Sequence, residues 1–193
     1  MEVSFDGIDE AIRTTRELTA NPKIPAIYEG TFEHDGLLVR VDILQRRRNR
    51  RWGLIEVKST TDLKEHHLED VAIQSRVVSR SGLNLASVCL AHVSRDYVFD
   101  GRTIDARRFF RIRNLTHQVA KLQRKLTFQL RSEFRVLAMP EAPGLPPGNH
   151  CINPVTCEFY DQCNLPRPDD HVGFLPRIYP DTVEELAGRG VYA

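Results

Sequence analysis

Apolar residues change their spacing several times along the chain, and each change marks an element. From Ile8 to Leu18 the spacing is helical, and Asn21, Pro22 and Pro25 then interrupt it. From Ile27 the period becomes two. Leu37, Val39, Val41 and Ile43 alternate with Leu38, Arg40, Asp42 and Leu44, which predicts a strand with both faces partly covered. An arginine-rich turn follows, and Trp52 to Val57 returns as a second strand, so the two are expected to form a hairpin.

Leu63 to Ser81 reads as a helix with Leu68, Val71, Ala72, Ser75 and Val78 on one face and Gly82 placed to end it. Leu85 to Val93 is a short, nearly continuous apolar run, the pattern of a buried strand. Tyr97 to Phe99, Asp100-Gly101 and Arg102 to Ile104 predict a further hairpin with a tight turn. Thr116 is expected to cap a long helix whose apolar stripe is Val119, Leu122, Leu126, Leu130, Phe134 and Leu137. Pro140, Pro143, Pro146 and Pro147, with Gly144 and Gly148, break regular structure, and Thr182 to Ala187 predicts one short helix near the end. Hairpin, helix, strand, hairpin, helix is the order of an α/β core with a mixed sheet.

Composition narrows this little further. The 193 residues suit one ordinary domain with a small appendage, and 41% hydrophobic residues support a real core. No apolar run is long enough to cross a bilayer and no signal peptide is recognisable, so no membrane partner is expected. The net charge of +1 decides nothing about nucleic acid. Locally, Arg46, Arg47, Arg48, Arg50 and Arg51 crowd one turn, which suits phosphate contact without sequence readout and equally suits a solvated hairpin tip. Cys89 stands alone in an apolar run and reads as a small buried hydrophobe, whereas Cys151, Cys157 and Cys163 recur at even spacing. Close cysteines without a signal peptide read as metal ligands before disulfides, in a reducing, cytoplasmic setting.

The chemistry concentrates on the first hairpin. Glu56 and Lys58 are two apart in a strand, so both side chains leave one face. Asp42, on the neighbouring strand, is placed to meet Glu56 across the sheet. Two carboxylates suffice for magnesium, which keeps several waters, and a lysine beside them orients water or stabilises a charged transition state. A lone Glu-x-Lys is common at solvated strand ends; here it ends a hydrophobic strand, where burial is costly without partners. His67, Asp70 and Gln74 form a polar stripe on the following helix, suited to line a substrate groove or simply to face water.

Arg40-Val41-Asp42-Ile43-Leu44, Leu54-Ile55-Glu56-Val57-Lys58-Ser59 and Asp70-Val71-Ala72-Ile73-Gln74 resemble the PD-(D/E)XK nuclease superfamily. Within it they are most similar to the RecB-like branch, which includes the CRISPR-associated iron–sulfur exonucleases. The resemblance runs from about Ile27 to Cys163. It implies a restriction-endonuclease-like mixed sheet flanked by helices, with Asp42 and Glu56 as ligands of Mg²⁺ or Mn²⁺, Lys58 as the catalytic lysine, and Gln74 as the helix residue near the site. Glu29 resembles an accessory acid of some relatives. Relatives usually carry a Tyr four residues after that Gln, where this chain has Val78.

Cys151, Cys157 and Cys163, with His150, Pro154 and Phe159, resemble the C-terminal cysteine cluster of the iron–sulfur members, which implies a 4Fe-4S cluster in a longer protein. The fourth cysteine of those relatives comes from an N-terminal segment, and this chain has none before Cys89. A fragment of a longer polypeptide with further domains is therefore expected. Three cysteines completed by His150 or His171 would suit zinc instead. The expected organisation is a nuclease core at 1–139, a Pro/Gly linker at 140–148, and a cysteine module with its tail at 149–193. The expected activity is DNA phosphodiester hydrolysis, exonuclease-like, on single- or double-stranded substrate. The alternative is a non-catalytic module that binds nucleic acid or scaffolds a larger nuclease.

Overall fold

The period-two segments pair in sequence order. Strands β1 (Ala26–His34), β2 (Leu37–Arg46) and β3 (Trp52–Lys58) form an antiparallel meander. Helix α2 (Glu65–Arg80) then carries the chain across to β4 (Leu85–Val93), which runs parallel to β3, and after the short helix α3 (Ala106–Phe109) β5 (Phe110–Asn114) closes the sheet antiparallel to β4. The computed structural model describes residues 1–4, 6–145, 148–153, 155–164 and 168–192. Pro146, Pro147 and Pro154, placed by the sequence in the linker and the cysteine segment, lie outside them.

The architecture is α/β, a five-stranded mixed sheet flanked by helices, as the hydrophobic pattern implies. The helices α1 (Ile8–Ala20), α2 and α4 (Thr116–Leu137) pack on one core, to which α4 contributes Val119, Leu122, Leu126 and Leu130, while Phe134 and Leu137 at the end of its expected stripe are exposed. Ile27, Leu44, Leu54 and Leu90 of the sheet and Val71, Val77 and Val78 of α2 are fully buried there. Ile55, Cys89 and Ala91 form a smaller cluster on the alternate side-chain direction of the same strands. Burial raises the Cys89 thiol above its ordinary value, in keeping with an inert core cysteine. Gly82, at φ +96°, ends α2 in the left-handed region that favours glycine.

Two expectations fail. Tyr97 to Ile104 does not pair as a hairpin: Val98 and Ile104 are exposed, and the place beside β4 is taken by Phe110–Asn114. The turn chemistry itself is present, since Gly101 has φ +82° and the Arg102 N–H donates to Asp100 Oδ1 at 3.0 Å. A turn signal therefore identified a bend but not a pairing partner. Thr116 is not the cap of α4 either. Asn114 Oδ1 accepts the Thr116 N–H at 3.0 Å, while the Thr116 hydroxyl accepts the Val88 N–H at 3.0 Å and ties the helix start to β4.

The chain divides into two compact units, Met1–Phe134 and Arg135–Ala193. The sheet, α1, α2 and most of α4 make the first. The second holds α5 (Tyr160–Asn164) and α6 (Pro180–Gly188), and in it Glu184 Oε1 accepts the Asn149 N–H at 3.1 Å.

Candidate active site

The site is built where two hydrogen-bond ladders fail around one residue. Pairing of β2 with β3 runs from Arg46 opposite Trp52 to Ile43 opposite Ile55, and stops. The next step would set Asp42 opposite Glu56. Instead Asp42 Oδ2 accepts the Val57 N–H at 2.6 Å, so a side chain takes the place of a backbone carbonyl. On the other flank, Asp42 faces Glu29, between the pairs Tyr28–Ile43 and Gly30–Val41. Glu29 has φ 58°, the left-handed region, inside a strand. A non-glycine residue there stores about 1–3 kcal/mol, and such strain clusters at functional sites. Its carboxylate pairs with Arg40 at 3.0 Å. Glu29 is thus a half-buried mid-strand residue rather than an exposed strand-end one, and it neighbours Asp42.

Glu56 lies on β3 with only 6% of its surface exposed. Its Oε1 accepts from Lys58 Nζ at 2.8 Å; its Oε2 is buried and has no hydrogen-bond partner of good geometry among the described residues, although Gln74 lies close enough to ease its charge. Burial pushes this carboxyl above the ordinary range, Lys58 and Gln74 pull the other way, and the Asp42 charge adds to the rise. Lys58 also donates to Asp70 Oδ2 at 2.5 Å. Burial alone would lower the Lys58 ammonium, but Asp70 and Glu56 outweigh it and push it up to about 12. Lys58 is therefore a fixed cation, not a base.

The α2 stripe completes the wall, and of its three residues only Asp70 is reached by water. Gln74 and His67 are buried, at 5% and 4% exposure. Gln74 Nε2 donates to Asp70 Oδ1 at 3.2 Å, and its Oε1 is buried with no hydrogen-bond partner among the described residues. His67 Nδ1 accepts the Lys64 N–H at 3.3 Å and so helps close the first turn of α2. Burial first, then the neighbouring His66, Lys58 and Lys64, lower the His67 imidazole. Val78 is fully buried in the core.

One residue at the site went unmarked in the sequence. His92 stands opposite Lys58 in the parallel register of β3 and β4 and is 5% exposed. Its Nδ1 lies 3.0 Å from the Val93 carbonyl, which can only accept, so Nδ1 carries the proton; Nε2 is buried without a partner. As the penultimate residue of an apolar run it has no distinguishing spacing. Only the register brings it to Lys58.

The arginine turn is not at the site. Arg46 pairs with Trp52 at the start of β3, whereas Lys58 ends that strand, about 20 Å away at the strand rise per residue. Arg46 itself is structural: its guanidinium donates to the carbonyls of Ile24, Thr19 and Asn21 and lies 4.1 Å over the Trp52 ring. Arg51 Nη2 donates to the Leu85 carbonyl at 3.4 Å, and the Arg47 guanidinium lies over Gly53, in space that a side chain there would fill. Arg48 and Arg50 are exposed in the tip.

The donor set fits a small hard cation. Among the described residues, Glu56 Oε2 is a buried oxygen without a hydrogen bond of good geometry, and Val57 provides the single hydrogen bond to the Asp42 carboxylate. Magnesium asks for one or two carboxylates plus water. No group of three or more His, Cys, Asp or Glu converges as a metal cage among the described residues. The three clustered cysteines follow suit: Cys151 is buried, Cys157 and Cys163 are exposed, and no ready-made cradle joins them. Of the histidines considered for a fourth ligand, His171 uses Nδ1 to accept the Gly173 N–H at 2.9 Å.

No family model matches the chain, and no curated protein matches it. One solved structure similar to it, the crystal structure of SSO0001, shares 16% identity over 69% of this chain, with a TM-score of 0.31. The match spans 60% of that protein's length. No helix among the described residues is long and apolar enough to cross a membrane.

Proposed function

We propose that this chain is a metal-dependent nuclease of the PD-(D/E)XK type, RecB-like, that hydrolyses DNA phosphodiester bonds. The observation that carries the reading is the buried Glu56 Oε2, without a hydrogen bond of good geometry among the described residues, beside Asp42 and the fixed Lys58 ammonium. A carboxylate buried at that cost needs a cation to justify it, and Lys58 satisfies only one of its two oxygens.

Asp42 and Glu56 would hold Mg²⁺ or Mn²⁺, which when bound supplies a more acidic water and neutralises charge on the phosphate. The chain's own residues do the rest. Lys58, protonated throughout the neutral range, offers a positioned cation to a phosphate oxygen where negative charge develops. Asp70 and Glu56 hold its ammonium in place, and Gln74 holds Asp70. In the reaction, water oxygen bonds to phosphorus, the bond from phosphorus to the ester oxygen breaks, and a proton passes to the leaving oxygen.

The cysteine module is proposed as a structural metal site, iron–sulfur first and zinc second, with no part in the hydrolysis. The test is cleavage of labelled single- and double-stranded DNA with Mg²⁺, Mn²⁺ or chelator. Cleavage that needs metal and is lost in Asp42→Asn and Glu56→Gln supports the assignment. Folded protein that binds DNA but never cuts it would point instead to a non-catalytic binding or scaffolding module.

A further inference from the structure

The register lines up more than the catalytic lysine. Lys58 on β3 stands opposite His92 on β4, and His92 stands opposite Arg111 on β5, so the three form one row across the sheet. Directly opposed residues share a face, and each strand step is about 4.8 Å, which sets Arg111 roughly 10 Å from Lys58 at the backbone. Arg111 is turned along its strand by two bonds, from Nε to Ser94 Oγ at 3.2 Å and from Nη2 to Asp96 at 3.1 Å.

There it enters an open cleft of about 260 Å³ lined by Ser94, Asp96, Tyr97, Arg107, Arg108 and Arg111. Three guanidinium groups face one carboxylate, and that carboxylate is engaged by Arg111. Arg107 and Arg108 are exposed and make no side-chain hydrogen bond among the described residues. The wall that presents them is stiff. Asp105 caps the Arg107 N–H at 3.0 Å, the Tyr97 hydroxyl accepts the Asp105 N–H at 3.2 Å, and Tyr97, Phe109 and Phe110 stack edge to face. Ser94, buried at 5% exposure, fixes the floor.

We infer that this cleft is a phosphate-binding subsite that takes a backbone phosphate of the nucleic acid strand adjacent to the one held at Lys58. The inference rests on the nucleic-acid reading of the site and extends it. Two strand steps separate Arg111 from Lys58 and its guanidinium is held by Ser94 and Asp96, so the cleft and Lys58 take separate phosphates, and the row runs from β3 toward the β5 edge. Arginine is the residue suited to it, since its planar fork matches phosphate oxygens and its charge does not titrate. The contacts are to backbone, so they position without reading sequence.

The test is anisotropy of a short fluorescein-labelled single-stranded DNA, titrated at several salt concentrations with chelator present, so that hydrolysis plays no part. Each phosphate contact on a single strand contributes about 0.7 to the slope of log affinity against log salt, so Arg107→Ala/Arg108→Ala, which empties a one-phosphate subsite, lowers the slope by about 0.7. The loss is the same for two unrelated sequences. An unchanged slope overturns the inference, as does a double variant that loses only a thermal shift produced by inorganic phosphate, which would make the cleft a free-anion site. Wild-type protein that cuts DNA while the double variant keeps the full slope overturns the subsite and leaves the nuclease standing. A lowered slope in a chain that never cuts does the reverse.

Discussion

Replacing Lys58 with methionine removes a cation and keeps most of the packing volume, and its cost depends on pH in a way the site dictates. Glu56 is 8% exposed at its side chain, Lys58 26% and Asp70 39%. A fully exposed ion pair contributes about 0–1 kcal/mol, and breaking a buried one costs about 3–5 kcal/mol. Glu56 sits near the buried limit and its partner does not, so about 2–3 kcal/mol is the expected loss at about pH 8. Asp70, which water reaches, contributes little of that.

The loss fades on acidification. Burial raises the Glu56 carboxyl in the folded state, so its protonated form favours folding below the ordinary carboxylate value of about 4.3, and that advantage disappears as pH rises through the raised value. Lys58 offsets the penalty of the charged form. Without it Glu56 is pushed further up, and protonation relieves the variant. Urea unfolding at about pH 8 and about pH 4, read by the fluorescence of Trp52, the chain's one tryptophan and 3% exposed, measures the difference. Lys58→Met/Glu56→Gln, with no buried charge, returns to within about 1 kcal/mol of wild type. A loss equal at both pH values, or below about 0.5 kcal/mol at the higher one, would mean that the pair is a screened surface contact and would refute the reasoning.

Other expectations concern metal and arginine. Mn²⁺ at about a hundredfold over its Kd stabilises the wild type by about 2.7 kcal/mol, a rise in Tm of roughly 5–10 °C, and leaves Asp42→Asn unmoved in the same thermal scan. Arg46→Ala loses its bonds to three carbonyls and its stacking on Trp52, which costs about 2–3 kcal/mol in urea unfolding. Its DNA affinity, measured by anisotropy, stays at the wild-type value, because this guanidinium is committed inward.

Much of the sheet was legible because its signal is local. Period two over Leu37 to Leu44 and the apolar run Leu85 to Val93 each became strands with nearly those ends. Asp42, Glu56 and Lys58 were legible because polar residues on such strands stand out against the pattern. What long-range pairing decides was not legible. Tyr97 to Ile104 carries a genuine turn signal, but β4 pairs with Phe110–Asn114 instead. His92 looked like the end of an apolar strand until the register set it against Lys58. The arginines of the β2–β3 tip attracted notice by their density, yet the strand carries them away from Glu56 and Lys58, while Arg111, separated from Arg107 and Arg108 by Phe109 and Phe110, is the one the register sets in line with Lys58. Charge density along a sequence says little about distance from a site.

The central claim is that Asp42, Glu56 and Lys58 hydrolyse DNA, and cleavage by wild type against Lys58→Ala tests it most directly. The substrate is labelled single- and double-stranded DNA with saturating Mg²⁺ or Mn²⁺, and both proteins are first shown to be folded. The account predicts metal-dependent cleavage by the wild type and a loss of about 10²–10³-fold in the variant, the cost of removing one positioned charge from a developing transition state. Equal rates in the two proteins would contradict it, as would a folded, metal-replete wild type that leaves DNA intact.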